Sequence, residues 1–120
     1  MQPKFLDRVD SFADRVLDVV DKIADCCRSG RIVDQMSGAG TSVGANVYEA
    51  DEALSRPDFC KCLGIALKEL NETHYWLRLV ARRKWVGPGT LDDLLGEATE
   101  IRRVMGSMIA RTRTNSRAPS

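Results

Sequence analysis

Six apolar side chains near the start of this sequence leave its first segment little freedom. Phe5, Val9, Phe12, Val16, Val19 and Ile23 recur at spacings of 4-3-4-3-4. A helix turns once every 3.6 residues, so such a repeat draws all six into one stripe. A strand, whose side chains alternate with period two, would scatter them over both faces. The repeat predicts a first helix from about Pro3 to Cys27, opened by Pro3 in its first turn and stopped near Gly30. A one-sided stripe of this kind has to be buried against other helices.

The rest of the chain supplies them. Ile32, Met36, Ala39, Val43, Val47 and Ala50 make a second seam, from about Arg31 to Ala53. "SRPD" then announces a third helix: Ser55 caps it, Pro57 suits its first turn, and Asp58 stands at the third position of a capping box. Its seam is Phe59, Leu63, Ala66, Leu70, Thr73, Leu77 and Val80, ended by "GPG" at Gly87 to Gly89. A second capping box, from Thr90 to Asp93, predicts the start of a fourth helix. Its seam is Leu91, Leu94, Ala98, Ile101, Met105 and Met108, running to about Arg111. Four helices on short connections close a core most simply as an all-α, antiparallel up-down-up-down bundle. The expected bundle covers residues 1–113, with 114–120 a polar, disordered tail. The first and third helices are expected to extend past the others.

The 120 residues fit one domain with a small core. There is no apolar run of membrane-spanning length and no signal-peptide core near the N-terminus, so the expected location is the cytoplasm, with no membrane partner. The four cysteines are Cys26, Cys27, Cys60 and Cys62. Adjacent or alternate cysteines on a helix point apart, which is poor geometry for zinc, so packed, reduced thiols are expected and no metal. The net charge of +1 is unevenly spread. Residues 1–60 carry 7 basic and 11 acidic side chains, and residues 61–120 carry 11 and 6. That polarity points to an electrostatic contact between helices, between subunits or with an anion. The whole chain lacks the strongly basic profile of a dedicated nucleic-acid binder.

Asp7, Asp10, Asp14, Asp18, Asp21 and Asp25 all fall in one sector of the first helix, opposite its apolar seam. They repel one another. Either this is a solvated outer face or it meets a basic partner. Gly38, Gly40 and Gly44 interrupt the second helix, each at a cost of about 1 kcal/mol relative to alanine. Close approach of another helix would account for them, and Gly44 is expected to permit it.

Catalytic chemistry finds little here. His74 is the sole histidine and no glutamate stands three residues before it, so neither a hydrolytic triad nor a di-iron site is expected. "GAGTSVGAN" lacks both the preceding strand and the Gly-Lys-Ser/Thr of a phosphate loop. No enzyme activity and no cofactor are expected. "ARRKW" (Ala81 to Trp85) is the best anion-binding candidate. Arg78, Arg82, Arg83 and Lys84 cluster at a helix C-terminus, where the dipole favours cations, and Trp85 could stack on a base or cover the bundle end. Ser42, Asn46 and Glu49 share one face of the second helix. If an antiparallel third helix lies alongside, Asn46 is expected to find a partner on it near Cys62 to Leu70, and Glu49 a cation or a helix N-terminus.

The motifs "SVGANVYEA" (Ser42 to Ala50), "SRPDF" (Ser55 to Phe59) and "IALKELNETHYWLRLV" (Ile65 to Val80) resemble the four-helix bundle proteins also called 23S rRNA-intervening-sequence proteins. That family shows S-x-G-A-N-x-x-E, then S-x-x-D-F, then I-A with a downstream glutamate and a leucine-rich run. Lys68, Glu69, Glu72, Thr73, Tyr75, Trp76 and Leu77 match its K-E-x-x-E-T and Y-W-L version. The family's common Glu-Gly is Glu49-Ala50 here, and the Gly-Arg often found before the serine is absent. The resemblance implies a ring-like homopentamer with no established enzyme activity. A related bundle, the accessory protein of diversity-generating retroelements, binds nucleic acid and a reverse transcriptase, but it is strongly basic.

Two functions follow as expectations. The first is a non-enzymatic oligomeric interaction or scaffold protein with an unknown protein partner. Ser42, Gly44, Asn46, Glu49, Asp58, Phe59, Glu69 and Glu72 would be its structural and interface residues. The second is an accessory factor that binds RNA or DNA through Arg78, Arg82, Arg83, Lys84, Arg102, Arg103 and the arginine-bearing tail.

Overall fold

The computed structural model describes residues 1–27 and 29–117. They form four helices: α1 (Pro3–Ile23), α2 (Gly30–Asp51), α3 (Arg56–Arg83) and α4 (Pro88–Arg117). No strand occurs among the described residues.

The seams go where their spacing sends them. Val9, Phe12, Val16 and Ile23 of α1 meet Met36, Val43 and Val47 of α2, Leu63, Leu70 and Leu77 of α3, and Leu91, Leu94, Ile101 and Met105 of α4 in one fully buried core. Ile32, Phe59 and Met108 lie at its margin, half-buried. Val20, Cys27, Cys62 and Ile109 join it from outside the expected seams. Thr73 is the buried polar member, and its hydroxyl donates to the Glu69 carbonyl one turn back (2.8 Å). Each helix packs on its neighbour in sequence, and α1 closes more thinly on α4; the backbones of α1 and α3, and of α2 and α4, do not approach one another closely and face across the shared core. The Met1 ammonium reaches Asp51 at the end of α2 (3.1 Å).

Several helix ends differ from the sequence expectation. α1 stops at Ile23, short of Cys27, because the Ile23 carbonyl takes both the Cys26 and the Cys27 N–H in a closing turn (3.1 and 2.7 Å). Gly30 does not terminate α1; it is the first residue of α2, and Ser29 before it caps that helix by accepting the Ile32 N–H (3.3 Å). The Ser55 cap stands as expected, accepting from the Asp58 N–H (3.2 Å). The end of α3 is made by Lys84, not by a glycine. Lys84 sits in the left-handed region (φ 58°, ψ 33°), and Lys84 N–H to Ala81 with Trp85 N–H to Val80 completes a Schellman turn. α4 opens at Pro88, so Thr90 lies inside its first turn and makes no capping bond.

α3 and α4, with 28 and 30 residues, are the long helices, and α1 is the shortest with 21. α4 runs past Arg111 to Arg117, where a polar tail was expected. Neither Gly nor Pro interrupts the stretch, and the Thr112 and Thr114 hydroxyls satisfy carbonyls one turn back (2.8 and 2.9 Å). Residues 118–120 of the expected tail lie outside the described residues.

Candidate interaction surface

α2 divides its small residues between two environments. On the side facing α1, a Cβ added to Gly40 would stand 2.7 Å from Val16 Cγ1, closer than carbon atoms approach. The same atom on Gly44 would meet Val9 Cγ1 at an ordinary 3.6 Å, and Gly38 faces open space. Gly40 is therefore the glycine that close approach requires, and the expectation placed on Gly44 belongs one turn earlier. Spacing alone could not separate them, because the distance between two helix axes varies along their length.

The polar edge of α2 also differs from expectation. The Asn46 amide donates to the Ser42 carbonyl of its own helix (2.9 Å), not to a partner on α3. A short amide side chain reaches its own preceding turn more readily than a neighbouring helix. Glu49 is exposed and makes no ion pair among the described residues. Burial pushes the Cys62 thiol pKa up, and the charges of Asp58 and then Glu49 add to it. Asp58 is exposed at the favourable, N-terminal end of α3. Phe59 is half-buried on the core. Glu69 is half-buried, and Glu72 accepts from the Trp76 indole N–H (3.3 Å). Tyr75 meets the edge of Trp76, with ring centres 5.2 Å apart. Of the residues that carry the family resemblance, Gly44, Ala66, Thr73 and Leu77 are buried, whereas the polar ones, Ser42, Asn46, Glu49, Asp58, Glu69 and Glu72, are exposed or half-buried.

The cations sort into two groups. Arg83 stacks 5.6 Å over the Trp85 ring, while Trp85 packs half-buried against the core at the bundle end. That ring is already covered on one face. Lys84 is fixed at the helix-terminating turn. Arg78 and Arg82 are different. They are exposed on α3 and, with Tyr75 and Leu79, line a shallow groove of about 430 Å³. Arg102 comes up from α4 on the same side: burial lowers the His74 pKa first, and the charges of Arg102 and Arg78 lower it further. Arg103 is paired with Glu100 (3.1 Å). Tyr75, 55% exposed beside Arg78 and Arg82, had no assigned role in the sequence because its position off the buried seam of α3 says only that it is outside.

No cluster of His, Cys, Asp or Glu among the described residues could hold a metal ion, and no described helix is long and apolar enough to cross a membrane. No curated protein matches the chain. Among solved structures, a protein of unknown function from the S23 ribosomal protein family of Bacteroides thetaiotaomicron VPI-5482 is similar. It is 35% identical with a TM-score of 0.81, over 88% of this chain and 97% of that one. The family model for 23S rRNA-intervening sequence proteins matches residues 4–107, through the first three helices and most of the fourth. The chain belongs to the 23S rRNA-intervening sequence protein family.

Proposed function

We propose that this chain is a non-enzymatic interaction protein. In this reading it is an antiparallel up-down-up-down bundle that assembles with copies of itself, as a ring-like homopentamer, and presents the assembly to a further protein partner. The observation that carries the reading is the outward placement of the polar residues behind the family resemblance. Ser42, Asn46, Glu49, Glu69 and Glu72 are exposed or half-buried, and neither Asn46 nor Glu49 ties α2 to another helix. Residues that do not hold the bundle together are free to serve an interface. Tyr75, Tyr48 and Ile65, exposed by 55%, 42% and 37%, supply the apolar surface that association would cover. Light scattering tests the reading: a pentamer's mass at micromolar concentration is expected, and a clean monomer would sink it.

A second reading rests on a specific grouping. Arg78 and Arg82 stand beside Tyr75, with the charge of Arg102 felt at the neighbouring His74, and cations next to an exposed ring suit a single-stranded nucleic acid. Binding to short RNA and DNA across a salt series tests it. Phosphate contacts should weaken steeply as salt rises, and absence of binding at low salt would remove the reading.

A further inference from the structure

The outer face of α3 is an unpartnered surface of mixed character. Lys68, Arg78 and Arg82 stand exposed along it, and none makes an ion pair with a described residue. Beside them lie Ile65, Tyr75 and Leu79, with the groove at Tyr75, Arg78, Leu79 and Arg82. Tyrosine and arginine together on a partly apolar surface is the composition of a binding face, not of a merely solvated one.

The same chain carries a surface of matching form and opposite charge. Asp7, Asp14, Asp18 and Asp21 are exposed along the outer face of α1, and none is paired with a described cation. Asp10 accepts the Tyr48 hydroxyl (2.8 Å), so another exposed ring borders the stripe. Arg8 is drawn away from it towards Glu97 on α4, while Lys4 and Lys22 flank its two ends. At 1.5 Å per residue, Asp7 to Asp21 and Lys68 to Arg82 each extend about 21 Å. The backbones of α1 and α3 do not approach closely; the two helices face each other across the core, so their outer faces look in opposite directions. One chain can therefore offer the acidic face to one neighbour and the basic face to another.

We infer that the outer face of α3 docks the aspartate stripe of α1 from a second copy of this chain, in a head-to-tail contact. The inference rests on the self-assembly proposed above and names the surfaces that make it. Two different faces meet, so the contact is heterologous: it builds a ring where the rotation closes and a filament where it does not. A nucleic acid is the weaker occupant of the α3 face. The chain already contains a complementary surface of the right length, and its net charge is only +1.

Charge reversal tests this on the full chain, with mass read by light scattering and folding by circular dichroism. One variant carries Asp7→Lys, Asp14→Lys and Asp18→Lys; another carries Lys68→Glu, Arg78→Glu and Arg82→Glu; a third carries all six. Each triple variant should raise the dissociation constant at least about tenfold, since like charges then face each other. The six-fold variant should regain the parent's mass, because both faces have changed sign together. The parent's own assembly should loosen as salt rises. If a triple variant loses helicity, the single reversals Asp14→Lys and Arg78→Glu are read in its place. A monomeric parent overturns self-assembly itself and this contact with it. An oligomeric parent whose triple variants keep their mass leaves self-assembly standing and overturns this contact alone. Loss of mass without recovery in the six-fold variant also overturns it. So does an α3 variant that loses only RNA retention, which would give the face to nucleic acid.

Discussion

Arg8 on α1 grips Glu97 on α4 with two nitrogens. Its Nε lies 3.0 Å from each carboxylate oxygen, and a terminal nitrogen lies 2.6 Å from Oε1. Among the described residues this is the ion pair that ties α1 to α4, across their thin contact. Both partners shift in the direction of a favourable pair: the hydrogen bond from Arg8 holds the Glu97 carboxyl below its ordinary value, against an opposing effect of burial, and the Arg8 pKa rises. Side-chain exposures of 38% and 21% admit solvent screening, so Glu97→Gln should cost only about 1 kcal/mol at neutral pH. The glutamate's folded pKa is the depressed one. Its contribution is therefore fully present above the unfolded value of about 4.3 and is lost as pH falls through the lower, folded value. Urea denaturation of parent and variant should differ at pH 7, and the difference should shrink as pH is lowered below the unfolded carboxylate value.

Gly40→Ala should destabilise, by about 1–3 kcal/mol, because the new methyl would press on the fully buried Val16. Gly38→Ala, with open space around it, should instead stabilise by up to about 1 kcal/mol through helix propensity. Thermal melts of the two variants should move in opposite directions. Equal shifts would show that the α1–α2 approach is not as close as described.

Lys84→Gly should raise stability by about 1 kcal/mol, since a non-glycine residue is strained at a positive φ. The same substitution removes one exposed cation from the α3 terminus. A stability gain with unchanged RNA binding would separate the conformational role of Lys84 from a charge role.

His74 gives a separate pH signature. Burial, then Arg102 and Arg78, lower its pKa, so the unfolded chain binds the proton more readily. Stability linked to this residue is fully present above the unfolded value of about 6.5 and falls as pH drops from there through the folded value. His74→Gln should flatten the loss of melting temperature between pH 7.5 and pH 5.5 while leaving the acid limb due to Glu97 in place.

The helical seams were readable because spacing alone decides which side chains can share a face. Val9, Val16, Leu63 and Ile101 needed no knowledge of their partners to be placed inside. Helix ends were less readable. Glycine is the usual residue for a left-handed cap, which drew attention to Gly30 and to Gly87–Gly89, yet no described glycine has positive φ and Lys84 takes that geometry. α4 outlasts its apolar pattern because a polar stretch without a breaker can continue a helix already formed. The candidate surface was legible only in its charges. That Arg78 and Arg102 meet around His74, and that Asn46 turns back to Ser42, depends on helix register and rotamer, which sequence spacing does not fix.

The thin α1–α4 contact has a consequence for how the chain folds. The pairs α1–α2, α2–α3 and α3–α4 pack together and follow directly in sequence, so each can form at small loop-closure cost. Arg8 and Glu97 are separated by 89 positions, and their junction can form only after the intervening helix pairs have brought it into reach. The closing step is therefore late and gains little contact. In reverse, it is the cheapest way for the bundle to open: amide protons along the thin seam should exchange ahead of those on α2 and α3, while the two central helices stay paired.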